Sequence, residues 1–462
     1  MRFLVLNGSP KSELSVTLQY VRYLEQRFEQ HDFEVVQLAR EVRKLERDPE
    51  RLAALIERMA AADGLVWSWP VYYFLVPAQL KQFIELLFAA GADRALEGRI
   101  ATSLTTSIHF FDHTAHDYMH AVGEDLGLEV FAGLSAEMMN LVNPTFRQSL
   151  ERWFEELVRV IEQRAPLARR FAPVKASTFR YKPGRFGPSQ PPSGRRIVLI
   201  SDAGERDDNL LAMERVLAAL LGGDVERLSL AEMNLAGGCR GCLQCGWDGR
   251  CVYKDGFEQL YRERILDADA LIFSGAVRDR YLSAGFKRFF DRSFFLGHRP
   301  ELDGKLMLWL ISGPLRQLDT LRAVLEGYAG VARANLVGTV SDEVERSAEL
   351  TALLAEAADK LIRGLDRPLR RPRMFPAVAG SKLFRDFVYL ATALFRADDR
   401  YYRRHGVYDF PHKQLGRLAG DRLLRLALHL PPLRSKVQRD MRRLMLRPFE
   451  KIVGPVPKRG ST

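Results

Sequence analysis

The chain reads as two doubly wound parallel α/β domains in tandem, followed by a basic helical extension. Three observations predict this. Apolar runs of strand length alternate with amphipathic helical stretches in both halves. A stretch rich in Pro, Gly and Ser separates the halves. A set of residues in the first half recurs at the same spacing in the second.

Arg2 to Leu6 is an apolar strand that runs into Asn7-Gly8-Ser9-Pro10-Lys11-Ser12-Glu13-Leu14-Ser15-Val16-Thr17 and then an amphipathic helix near Leu18 to Phe28. Gly64 to Trp69 is a second strand, closing on the Pro70 loop before a helix from Ala78 to Phe88, and Ile100 to Thr105 is a third. Residues 166–195, with Ala172-Pro173, Lys182-Pro183-Gly184 and Gly187-Pro188-Ser189-Gln190-Pro191-Pro192-Ser193-Gly194, hold neither a helix nor a central strand and form a linker. The pattern then restarts: strand Arg196 to Ser201, loop Asp202 to Asn209, helix Leu210 to Leu221. Ser68-x2-Val71 … Lys81-x-Phe83 matches Ser274-x2-Val277 … Lys287-x-Phe289, which points to duplication of a whole domain. The expected division is 1–165, linker 166–195, 196–365 and extension 366–462.

A hydrophobic share of 47% is ample for buried cores and excludes global disorder. The net charge of +11 is unevenly placed: from Arg370 to Thr462 there are 22 Lys and Arg against 7 Asp and Glu, leaving 47 against 51 elsewhere. The body therefore lacks the basic face that nucleic-acid binding needs. In the tail, Leu423-Leu424, Leu426-Ala427-Leu428, Leu430, Met441, Leu444 and Met445 alternate with arginines. That suits an extension packing its apolar stripes on the domains, with a helix lying on an anionic membrane surface as the sharper alternative. No secretory signal precedes the first strand and no apolar run approaches a membrane span, so the expected location is cytoplasmic, with peripheral membrane contact as the alternative.

All four cysteines fall within thirteen residues, Cys239-x2-Cys242-x2-Cys245-x5-Cys251. Thiolates bind soft metals, and a compact triple followed by one more reads better as a [4Fe-4S] site than as the two separated knuckles of a zinc ribbon. Zinc remains an alternative, as do disulfides or idle thiols, which a reducing compartment disfavours. The strand running into Gly8-Ser9-Pro10-Lys11, with Ser15 and Thr17 at a helix start, suits a phosphate: backbone N–H groups and the helix dipole favour an anion, and the hydroxyls can donate. An ordinary turn with an N-cap is the alternative. The loop lacks the Gly-Lys-Ser/Thr of a nucleotide P-loop, so ATP is not expected.

The Gly-Ser-Pro-Lys loop, Pro70-Val71-Tyr72 followed by Gln79-Leu80-Lys81-x-Phe83-Ile84, and the cysteine loop ending Cys251-Val252-Tyr253-Lys254-Asp255 resemble the flavodoxin-like iron-sulfur flavoproteins and their NAD(P)H-dependent FMN reductase relatives. The resemblance covers about residues 1–165 and 196–365. It implies a sheet that binds FMN at the carboxyl ends of its strands. By resemblance, Ser9, Lys11, Ser15 and Thr17 hold the phosphate. Pro70, Val71, Tyr72, Tyr73 and Phe74 line the flavin ring, and Thr105, Thr106 and Ser107 close the site. Without the resemblance, Tyr72, Tyr73 and Phe74 read as core aromatics.

The second half departs from this pattern. Ser201-Asp202-Ala203-Gly204-Glu205 stands where the first has Asn7-Gly8-Ser9-Pro10-Lys11, and Arg278 replaces Tyr72. Its acidic pair would repel a phosphate, so one flavin is expected in the first domain and one cluster in the second. The two are expected to face each other in a pseudo-dimer. His109, His113, His116 and His120 read as one helix with partly exposed histidines, a second metal site being the alternative; His109 is the one expected near the flavin. The function expected is a redox flavoprotein passing electrons between FMN and a [4Fe-4S] cluster, its partner a small donor or acceptor such as NAD(P)H, a quinone or a ferredoxin-like protein. The alternatives are an NAD(P)H-dependent flavin or quinone reductase with structural cysteines, and a zinc-stabilised scaffold without flavin.

Overall fold

The structure, a computed structural model, describes residues 1–187, 194–367, 371–409 and 415–455. The Pro188 to Ser193 part of the linker, Arg370 and residues 456–462 of the basic tail lie outside the described residues. The chain divides into two compact units. The first comprises Met1–Pro173 with Gly238–Cys242 and the chain from Pro431; the second comprises Val174–Gly237 and Leu243–Leu430.

The first unit is built on β1 (Arg2–Asn7), β2 (Asp32–Val36), β3 (Gly64–Pro70), β4 (Ile100–Ser107), β5 (Glu129–Val130) and β6 (Leu134–Glu137). The order is β2-β1-β3-β4-β5, with β6 also pairing β4, and every pairing is parallel. Phe3, Leu4, Val5 and Leu6 are wholly buried because a central parallel strand is covered on both faces, which is why β1 is a continuous apolar run. The polar residues Asn7, Ser68, Thr105 and Thr106 are also buried, and all lie toward the carboxyl ends of their strands. Helices Val16–Arg27, Leu38–Arg47, Pro49–Ala61, Ala78–Ala89, Asp112–Asp125 and Pro144–Gln163 connect or cover the strands. Two start on sequence signals: Asp48 and Asn143 each precede a proline and accept from Arg51 N and Thr145 N. Strand order reverses at β1, so the chain leaves a crevice outside the carboxyl ends of β1 and β3.

The C-terminal stretch completes this core. Leu446, Phe449 and Val453 are buried within the same cluster as Val16, Leu24 and Phe154, and Gln26 Nε2 donates to the Val453 carbonyl at 2.6 Å. A fully buried Leu or Phe side chain is worth about 1.5–3 kcal/mol, so this contact holds the tail firmly on the first unit.

The second unit repeats the plan with β7 (Ile197–Ser201), β8 (Val225–Ser229), β9 (Ala270–Ala276), β10 (Leu306–Ser312) and β11 (Asn335–Ser341), in the order β11-β10-β9-β7-β8. Counted from its own first strand, this is the order of the first sheet. The duplication extends to local strain. After β3, Tyr73 and Phe74 have φ of 40° and 68°; after β9, Asp279 and Arg280 have 45° and 63°. Each pair sits in a turn closed by the bridges Tyr72–Leu75 and Arg278–Tyr281. The matched lysines, Lys81 and Lys287, are both fully buried and reach Glu85 and Asp291 one turn on.

The described part of the linker has no helix or strand, yet it is anchored: Tyr181 is buried in the second core, and its hydroxyl lies 2.8 Å from Thr351 Oγ1. Helices Phe375–Leu390, Arg396–Arg404 and Leu415–Ala427 follow in this unit, with Val388, Phe395 and Tyr402 forming a small core. Among the described residues, no helix is long and apolar enough to cross a membrane.

Candidate cofactor site

The end of β1 builds a loop whose polar groups are turned inward. Asn7 Oδ1 accepts from Ser9 N, and Asn7 Nδ2 donates to the carbonyl of Ser12, while Gly8 N donates to the Ser68 carbonyl at 2.9 Å. Gly8 is required by close approach, since a Cβ there would lie 2.6 Å from Leu80 Cδ2. Ser9 Oγ accepts from Lys11 N. Ser9, Ser12, Ser15 and Thr17 are all buried. Ser15 precedes the helix Val16–Arg27, yet its side chain makes no capping hydrogen bond, unlike an ordinary N-cap serine. Ser12, at φ 51°, has a buried hydroxyl with no hydrogen-bond partner among the described residues. An orphaned buried hydroxyl in the loop that leads into a helix fits an anionic ligand.

Lys11 lies in the same loop. Its pKa is lowered to about 8 by burial and by the like charge of Arg442, while Cys239 and Cys242 work in the opposite direction. Its Nζ is 3.7 Å from Met445 Sδ. Arg442 and Met445 come from the C-terminal stretch, so the tail brings a second cation to this corner. Gly238–Cys242 packs here as well. A Cβ on Gly241, at φ 61°, would meet Tyr72 Oη at 2.1 Å and Lys11 Cε at 2.8 Å. Gln79 Nε2 donates to the Cys239 carbonyl at 3.5 Å, and Gly241 N donates to Cys239 Sγ at 3.4 Å.

The other expected site residues surround the same strand ends. Pro70 closes β3, and Val71 N donates to the Thr106 carbonyl. Tyr72 and Tyr73 are half-buried, whereas Phe74 is buried against Phe110 and Phe111 with ring centroids 5.6 and 4.5 Å away. Thr17 Oγ1 and Thr106 Oγ1 are 2.5 Å apart, so the Thr17 hydroxyl is tied to β4. Ser107 Oγ accepts from His109 N, and Thr105 Oγ1 lies 2.7 Å from His116 Nε2.

The four histidines do not share one helix. The helix spans Asp112–Asp125, and His109 precedes it at φ 57°, with its Nδ1 2.7 Å from Asp112 Oδ2. His113, His116 and His120 border a cleft of about 290 Å³ with Ser103, Ser135 and Arg170. Burial lowers the His116 pKa to about 4, so this imidazole is neutral at pH 7. Among the described residues, no three His, Cys, Asp or Glu side chains are gathered as a metal site, here or elsewhere.

None of the four cysteines is in a disulfide, and all are of intermediate burial. In the second unit, Cys245 opens the short helix Cys245–Asp248 with its Sγ 3.7 Å from the Phe294 carbonyl, and Cys251 N donates to Glu258. Nearby, buried Arg292 pairs with Asp255 through both terminal nitrogens and donates to the Gly237 carbonyl.

In the second unit the donors at the strand ends are used internally. Asp207 accepts from Gly204 N at 2.9 Å and pairs with Arg278. Asp342 takes Ser312 Oγ and Gly313 N at 2.7 and 2.8 Å. Glu214 is held by Ser201, Ser274 and Arg227. Asp202, pushed up to about 6 by burial, accepts from Ala276 N. Carboxylates with partners inside the unit thus gather near these strand ends.

The chain is similar to several known flavoproteins. An iron-sulfur flavoprotein of Archaeoglobus fulgidus is 29% identical over 155 residues, 31% of this chain and 69% of that protein. Among solved structures, an FMN-dependent NADH-azoreductase from Bacillus anthracis is 16% identical, covering 36% of this chain and 100% of that one at a TM-score of 0.28. The flavoenzyme NAD(P)H:(acceptor) oxidoreductase FerB from Paracoccus denitrificans is 16% identical, covering 35% and 97% at 0.30. The family profile described as NADPH-dependent FMN reductase matches residues 1–123 and again 196–341, together more than half of the chain. With a match in each half, the chain belongs to the NADPH-dependent FMN reductase family of flavin-dependent oxidoreductases, with the flavodoxin-like domain present twice.

Proposed function

We propose that the protein is a redox flavoprotein that binds one FMN in its first unit and one [4Fe-4S] cluster on Cys239, Cys242, Cys245 and Cys251, and passes electrons between them. The observation that carries this reading is the packing of Gly238–Cys242 against Lys11, Tyr72 and Gln79 within the first unit. Two of the four thiolates therefore lie at the loops expected to hold the flavin. The residues fit the phosphate of a flavin, and for the cluster they supply the donor chemistry, although no three of the thiols are gathered at one point among the described residues. Ser9, Ser12, Ser15 and Lys11 offer an anion buried hydroxyls and a cation, and four thiols are the donor set a cluster needs.

When bound, FMN accepts electrons in pairs or singly and the cluster singly, so together they can split a pair from NAD(P)H or a quinol. The chain's own residues would anchor and orient: the β1 loop the phosphate; Pro70, Val71, Tyr72 and Tyr73 the ring; Thr105, Thr106 and Ser107 the far side. Phe74 would act from behind, packing the turn on Phe111. Only the first unit is proposed to hold flavin, because the loops after the strands of the second carry the acids Asp202, Asp207 and Asp342, which disfavour a phosphate. Anaerobic purification is expected to yield about four irons with acid-labile sulfide, and one FMN, per chain. Stoichiometric zinc without sulfide would defeat the cluster, and protein that stays colourless when FMN is supplied would defeat the flavin.

Arg442 belongs to the same reading. Two cations brought together out of water repel unless an anion lies between them, and charge-assisted hydrogen bonds to phosphate are worth about 1.5–3 kcal/mol. Arg442→Ala in the full chain is expected to weaken FMN about tenfold or more while leaving riboflavin, which lacks the phosphate, unchanged in a fluorescence titration. Equal loss of both would make Arg442 merely structural.

A further inference from the structure

The helix Leu415–Ala427 has two faces, and among the described residues its unit covers only one. Leu418 and Leu428 are buried, Asp421 accepts from Thr392 and from Ala393 N, and Arg425 pairs with Asp399. These positions follow one another at steps of three and four residues, which is one side of a helix. On the other side, Leu415, Ala419, Leu423 and Leu426 also recur at steps of three and four, and Leu430 follows just past the helix end. The four leucines are 72%, 68%, 69% and 62% exposed, a continuous apolar ridge in water. Scattered exposed leucines need no explanation, but a row at helical spacing does.

We propose that this ridge docks the protein onto an anionic lipid surface. Charge selects the occupant. Arg417 and Arg422 on the same helix are exposed, and the sequence of this unit from Arg370 to Leu430 carries 13 basic residues against 5 acidic ones. A second copy would bring the same excess of arginines face to face, whereas anionic headgroups neutralise it while the acyl boundary takes up the leucines. The helix is too short and too charged to span a bilayer, so the contact is peripheral. For a redox enzyme this places the molecule where lipid-soluble electron carriers are dissolved.

The experiment is co-sedimentation of the full, cofactor-loaded chain with vesicles of phosphatidylcholine alone and of equal parts phosphatidylcholine and phosphatidylglycerol. Binding is expected only to the anionic vesicles and to weaken with added salt. The double variant Leu423→Glu, Leu426→Glu, whose positions point into water and so leave the fold intact, is expected to lose at least about tenfold in vesicle affinity. Leu418→Ala, on the inward face, serves as the comparison: it should lower thermal stability but retain more vesicle binding than the double variant. No binding of the parent chain to anionic vesicles overturns the proposal, as does equal binding of parent and double variant. A parent chain that sediments as a dimer, becomes monomeric in the double variant and ignores vesicles would assign the ridge to a second copy instead.

Discussion

Cys242→Ser is expected to strip the protein of nearly all its iron while leaving FMN bound. A serine hydroxyl stays protonated where a cysteine becomes a thiolate, and it is a poor ligand for the soft iron of a cluster. Three remaining thiolates cannot close the first shell of a cubane, so loss should be close to complete. The substitution is nearly isosteric and Cys242 is half-buried, so the direct cost to folding is small. The flavin should remain because its proposed hydroxyls belong to the β1 loop, whose hydrogen bonds run to Asn7, Ser68 and Thr106. The measurement is iron, sulfide and flavin content of the anaerobically prepared variant beside the parent. Iron retained in full would remove Cys242 from the ligand set. Loss of flavin together with iron would mean that the thiolate loop, not the β1 loop, holds the cofactor.

The fold was legible because central strands are apolar runs: β1, β3, β4 and β7 are buried on both faces and announce themselves. The edge strands β2, with Asp32 and Glu34, and β8, with Glu226 and Arg227, are half-solvated and mixed in character, so no run marks them. Serines and a lysine after a strand mark the loop, but the sequence could not show that the Ser15 side chain is not used as a cap or that Ser12 is orphaned, since both depend on backbone geometry. Asp207 is one more loop acid until Gly204 N and Arg278 are seen to share it. His109 kept helical spacing yet fell outside the helix, because a left-handed Phe111 precedes the first turn at Asp112. Least legible of all was the return of distant chain to the first unit: Arg442 and Gly241 lie more than two hundred residues from Lys11, and only packing joins them.

Gly241→Ala tests that last contact and is expected to harm the flavin site more than a single methyl group would suggest. A left-handed φ of 61° costs an L-residue about 1–2 kcal/mol. The new Cβ would also lie 2.1 Å from Tyr72 Oη and 2.8 Å from Lys11 Cε, distances at which something must move. Tyr72 belongs to the turn in which Tyr73 and Phe74 already hold positive φ, so it has little room to yield. Either the thiolate loop lifts away or Tyr72 and Lys11 shift, and both disturb the proposed phosphate and ring positions. Gly256→Ala separates the two costs: its φ is 83°, and a Cβ there meets nothing within 4 Å. Both variants should lower the thermal midpoint by about 2–4 °C per kcal/mol, whereas only Gly241→Ala should also weaken FMN and alter the quenching of its fluorescence. If the two variants lose stability alike and FMN affinity is untouched in both, the packing of Gly238–Cys242 on Lys11 and Tyr72 does not shape the flavin site, and the proposed route between thiolates and flavin loses its support.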